Sequence, residues 1–119
     1  MEKIITISGK NYQMKASALT QFLYKNETGR SFISDLQKLS SAHAEANNDV
    51  EAMVDAMDDI TTILLKISYT MIKQANKEQV GTYDEFLDGI DNLYDESNWI
   101  QEVIEFACSP ISRQLQKNQ

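Results

Sequence analysis

Residues 50–75 read VEAMVDAMDDITTILLKISYTMIKQA, and the spacing in this stretch decides the fold. Val50, Met53, Val54, Met57, Ile60, Leu64, Ile67, Met71 and Ala75 recur three and four positions apart. That interval keeps side chains on one side of an α-helix. Such a helix is about 39 Å long at the usual rise per residue. Ile63, Leu65, Tyr69 and Ile72 widen the apolar stripe in its second half, as befits the central helix of a small bundle. The pattern predicts a helix over 49–79, with Gly81 as its stop.

Upstream, two β-like runs, residues 3–7 and 12–16, flank Ser8-Gly9-Lys10-Asn11. Turn-forming residues between such runs predict a β-hairpin over 3–16 that must dock on the helices to be stable. Ile5 and Ile7 form one apolar set, and Tyr12, Met14 and Ala16 another. Ser17 can cap a helix over 18–28 that Gly29 terminates, with Leu19, Phe22 and Leu23 as its expected buried stripe. Ser31 can cap the next helix, over 31–46, where Phe32, Ile33, Leu36 and Leu39 repeat at helical spacing. Downstream, Thr82 and Glu85 fit a capping box opening a short helix over 83–90. A last helix over 98–116 carries Ile100, Val103, Ile104, Ala107, Ile111 and Leu115, with a kink or break expected at Pro110. The expected fold is α+β and predominantly α: one domain over 1–119, an N-terminal β-hairpin packed on a bundle of four to five helices.

The chain has 119 residues, 42% of them apolar, with one cysteine and one histidine. A single cysteine excludes an intramolecular disulfide, and no secretory or membrane-spanning stretch is legible, so a cytoplasmic protein is expected. Its net charge is −7. Residues 1–50 carry six Lys/Arg against five Asp/Glu, while residues 51–119 carry five against thirteen. An acidic second half repels phosphate backbones, which argues against a nucleic-acid partner.

No constellation of catalytic residues can be assembled. A Ser/His/Asp or Cys/His centre would need His43 as its base, and no nucleophile motif lies near it. Cys108 reads as a buried small hydrophobe. One Cys and one His are too few for a zinc site. Laid on calcium-loop spacing, residues 84–95 put Phe86 where an oxygen ligand belongs and Asp95 where a bidentate Glu is normal. No phosphate-binding glycine loop is present. The residues point to a non-enzyme without cofactor or metal, acting through its surfaces. Met53 and Met57 on the long stripe, with Tyr83, Phe86, Tyr94 and Trp99 near the C-terminal segments, are the candidate partner-binding residues, since methionine repacks easily and aromatics anchor interfaces; the competing reading has the methionines filling the core and the aromatics sealing the end of the bundle.

Residues 12–39 carry a further pattern. A hairpin leads through Ala16 and Ala18 into a helix with Phe22, Tyr24 and Lys25, followed by a Gly29-Arg30 step into a helix bearing Asp35 and Leu36. This arrangement resembles the tail assembly chaperones of siphophages that infect Gram-positive bacteria. Tyr83-Asp84-Glu85-Phe86-Leu87-Asp88 and Trp99 before an apolar helix resemble the C-terminal part of that family. The resemblance departs from the family pattern at Thr28 and Ser31. It implies a chaperone of phage or prophage tail morphogenesis, acting in the bacterial host's cytoplasm. Such a protein binds the tape measure protein, keeps its apolar surface soluble and helps recruit tail tube subunits; homo-oligomers are compatible with that role. The competing expectation is a small acidic inhibitor or adaptor that regulates a host or phage enzyme.

Overall fold

The computed structural model describes residues 1–46, 50–93 and 98–111, with side chains at 1–41, 59–93 and 98–111. It has the expected architecture, an N-terminal two-stranded hairpin followed, among the described residues, by five α-helices. Strands β1 (Glu2–Ile7) and β2 (Lys10–Lys15) pair antiparallel with Ile5 opposite Tyr12 and Lys3 opposite Met14. Residues opposite each other in such a pair share a face, so the two apolar sets expected separately lie on one face. Ile5, Ile7, Tyr12, Met14 and Ala16 are all buried. The other face, from Glu2, Ile4 and Thr6 to Asn11, Gln13 and Lys15, is exposed.

The turn itself is two residues, Ser8 and Gly9, both with positive φ (53° and 83°). That is the turn whose twist matches the flanking strands. A serine pays for the left-handed conformation more than a glycine does. Here the Ser8 hydroxyl oxygen accepts hydrogen bonds from the Asp91 and Asn92 N–H groups at 3.2 and 3.1 Å, which ties the turn to a segment 83 and 84 positions along the chain.

Helix α1 (Ala18–Thr28) starts at Ser17 and ends at Gly29, whose φ of 73° is the left-handed stop that glycine accepts most easily. Helices α2 (Phe32–Ala46) and α3 (Val50–Ala75) follow, then α4 (Tyr83–Asp88) and α5 (Trp99–Cys108). In its second half α3 buries Ile63, Leu64, Leu65, Ile67, Met71 and Ile72. It packs against β2, α1, α2, α4 and α5, the central position its stripe requires. Two hydroxyls in that buried half are satisfied within the helix, Ser68 by the Leu64 carbonyl at 2.8 Å and Thr70 by the Lys66 carbonyl at 2.9 Å.

Three helix ends differ from expectation. α3 stops at Ala75 because Asn76 turns to extended backbone and caps a 3₁₀ turn, Lys77–Gln79, accepting from the Glu78 N–H at 2.9 Å. α4 closes at Asp88, where the Gly89 N–H returns to the Glu85 and Phe86 carbonyls. α5 ends at Cys108, two residues before Pro110; the Ser109 N–H bonds back to Phe106 at 3.1 Å, and residues 112–116 of the expected helix lie outside the described residues.

A candidate protein-docking face on the first two helices

Helix α1 turns its polar side inward. Its buried residues are Thr20 and Tyr24, whereas Leu19 and Phe22, expected in the core, are 53% and 58% exposed. Leu23 is half-buried. The cause is a set of polar partners that only this rotation satisfies. The Thr20 hydroxyl donates to Gln74 Oε1 on α3 at 2.6 Å and accepts from the Ser17 N–H at 3.0 Å. Gln74 Nε2 donates back to the Ser17 hydroxyl at 2.9 Å. Nearer the end of α1, Glu27 pairs with Lys73 of α3 at 2.8 Å.

The second polar joint ties α1 to α2. The Tyr24 hydroxyl donates to Asp35 Oδ2 at 2.5 Å, and Arg30 Nε and Nη2 hold the two carboxylate oxygens at 2.8 and 3.0 Å. Asp35 is only 2% exposed. Burial of a carboxylate pushes its pKa up, but here the hydrogen bonds from Arg30 and Tyr24 and the charges of Arg30 and Lys38 outweigh burial, leaving Asp35 below the usual carboxylate range. The Tyr24 phenol is pushed far up, by burial first and then by its bond to Asp35. Thr28 completes the joint: its hydroxyl donates to the Tyr24 carbonyl and accepts from the Arg30 N–H.

With α1 and α2 locked from the inside, their apolar outer side chains stand in solvent. Leu19 and Phe22 follow one another along α1, and Phe22, Phe32 and Ile33 line one hollow with Gln21, Lys25 and Ser31. Ile33, 38% exposed, also lines a second hollow with Leu36, Cys108 and Ile111. Ile33 therefore joins the two hollows, which run from α1 across α2 to the end of α5. Buried polar groups and exposed large apolar ones are the informative departures from ordinary burial, and these two helices have both, the first on the inner side and the second on the outer. Cys108 is half-buried there; burial pushes its thiol up, partly offset by a hydrogen bond with Ser40.

Of the residues singled out from the sequence, Tyr83, Phe86 and Trp99 lie elsewhere. Phe86 and Trp99 are 2% and 1% exposed, so neither ring presents a surface to a partner. Phe86 meets Tyr12 edge-on at 5.6 Å, and Trp99 Nε1 donates to the Leu93 carbonyl at 2.9 Å, sealing the bundle. Tyr83 is half-buried against Tyr69, 5.4 Å between centroids. Met53, Met57 and Tyr94, like His43, lie outside the residues whose side chains are described. Asp84, Glu85 and Asp88 sit on or at the end of helix α4, a shape unlike a calcium loop. Among the described residues no helix is long and apolar enough to cross a membrane.

No protein-family model matches the chain, and no curated protein or solved structure matches it either.

Proposed function

We propose that this chain is a non-enzymatic binding module that shields an apolar helical partner, and specifically a tail assembly chaperone for the tape measure protein that also helps recruit tail tube subunits. The observation that carries the reading is the outward apolar face of Leu19, Phe22 and Ile33 on two helices locked from behind. An amphipathic helix laid in an apolar groove is a recurring mode of recognition, and a long helical tape measure exposes such stripes. The surplus of negative charge supports the same role, since it keeps a protein soluble while an apolar face waits for its partner. The resemblance to tail assembly chaperones also rests on residues with a shared task here. Tyr24, Gly29, Arg30 and Asp35 build the joint between α1 and α2 that holds the face in place.

Co-expression with a cognate tape measure protein tests the proposal. A soluble complex, lost when Phe22 and Ile33 are both changed to glutamine, is the expected result. A tape measure protein that stays insoluble, or that binds the double variant equally well, would remove this function.

A further inference from the structure

The two long edges of the hairpin are finished differently. Met1 and Ala16 exchange both backbone hydrogen bonds, at 3.0 and 3.1 Å. Bonded pairs alternate along an antiparallel ladder, so residues 3, 5 and 7 bond to 14, 12 and 10. The N–H and C=O groups of residues 2, 4 and 6 on β1, and of 11, 13 and 15 on β2, therefore point outward. On β2 the Gln79 side chain occupies that edge like a short strand: its Oε1 accepts from the Gln13 N–H at 2.8 Å, and its Nε2 donates to the Gln13 carbonyl at 2.9 Å. On β1, no hydrogen bond closes the outward backbone groups of Glu2, Ile4 and Thr6 among the described residues. No proline or bulge blunts the strand, and Ile4 stands 65% exposed on its outer face. An open strand edge with an exposed apolar side chain is a template for another strand.

We propose that β1 is a docking edge for a second copy of this chain, the two β1 strands pairing antiparallel about a twofold axis at Ile4 to make a four-stranded sheet. The sequence of the strand is self-complementary in this register. Ile4 meets Ile4 of the copy, and Glu2 meets Thr6, so all three outward residues of each strand find backbone partners. On the outer face the row across the seam runs Lys15, Glu2, Thr6, Asn11, and the next row runs Gln13, Ile4, Ile4, Gln13. The two isoleucines cover one another and no like charges meet. A two-residue slip one way sets Lys3 opposite Lys3, and a slip the other way carries Glu2 past the end of the strand. This pairing leaves the α1–α2 face free and stands independently of the function proposed for it.

Light scattering across a micromolar to near-millimolar concentration series, with amide hydrogen exchange on the same samples, tests the pairing. The expected result is a mass that rises from monomer to dimer while the Glu2, Ile4 and Thr6 amides become protected. Ile4→Pro removes an outward N–H that the hairpin does not use, and Ile4→Lys sets like charges across the seam; both should stay monomeric with the Met14 amide still protected. Ile4→Lys decides the matter if Ile4→Pro disturbs the hairpin. A monomer at every concentration, a wild-type dimer whose Glu2, Ile4 and Thr6 amides stay unprotected, or a dimer that survives Ile4→Lys, would overturn the proposal.

Discussion

The hydroxyl of Tyr24 meets the carboxylate of Asp35 at 2.5 Å inside the joint between α1 and α2, and Arg30 grips the same carboxylate from the solvent side. Eleven residues separate Tyr24 from Asp35, with the left-handed Gly29 between them. This bond sets which way α1 faces. Turning α1 to bury Leu19 and Phe22 would withdraw Tyr24 from Asp35 and Thr20 from Gln74, leaving buried polar groups without partners. Each such loss costs about 1–3 kcal/mol, comparable to the gain from burying one large apolar side chain.

Tyr24→Phe keeps the ring and deletes only the hydroxyl. It should lower stability by about 1.5–3 kcal/mol, the usual cost of losing a hydrogen bond to a charged group. Urea unfolding at neutral pH measures it.

Asp35 gives the joint a pH dependence of known sign. Its pKa is depressed in the folded protein, so the unfolded chain takes up the proton first as the solution is acidified. The ionised carboxylate therefore contributes stability above its unfolded pKa, and that contribution is lost as the pH falls through the folded value. The stability difference between wild type and Asp35→Asn should be constant near neutrality. It should shrink below about pH 4, where an ordinary carboxylate titrates. Urea midpoints of both proteins across that range check it; a difference that grows on acidification would contradict the assignment.

Exposed and buried apolar side chains should separate cleanly. Phe22→Gln and Ile33→Gln should change stability by no more than about 0.5 kcal/mol, as surface substitutions do. Trp99→Ala empties a fully buried site and should cost about 3–5 kcal/mol or prevent folding. Chemical denaturation of the three variants decides between them.

The long central helix was legible because its stripe repeats over 26 residues, enough to fix the element and, over its described second half, the residues it buries. The hairpin was legible from its turn, although the sharing of one face by both strands follows from register, which the two runs alone do not specify. The rotation of α1 was not legible. Leu19, Phe22 and Leu23 form as good an apolar stripe as Thr20 and Tyr24 form a polar one, and the choice between them depends on Gln74, 54 residues away from Thr20. The only local hint was Asp35 following Gly29-Arg30, an acid that wants a partner behind the turn. Phe86 and Trp99 left two readings open in the sequence: aromatics anchor interfaces and seal cores with the same chemistry, and only burial tells the two apart.

Ser8 offers a test of the turn. Ser8→Gly relieves the left-handed backbone but loses the acceptor for Asp91 and Asn92, whereas Ser8→Ala loses the acceptor and keeps the strain. The alanine variant should be the less stable by about 1 kcal/mol. Thermal unfolding of the pair measures the gap.

The most direct test of the proposed docking face is an amide hydrogen-exchange footprint of this chain, free and bound to an apolar helical segment of its proposed partner, a tape measure protein. Slowed exchange concentrated in residues 18–28 and 32–41, with the hairpin and α4 unchanged, is the expected result. A complex whose protection falls elsewhere and leaves α1 and α2 exchanging as in the free protein would contradict it.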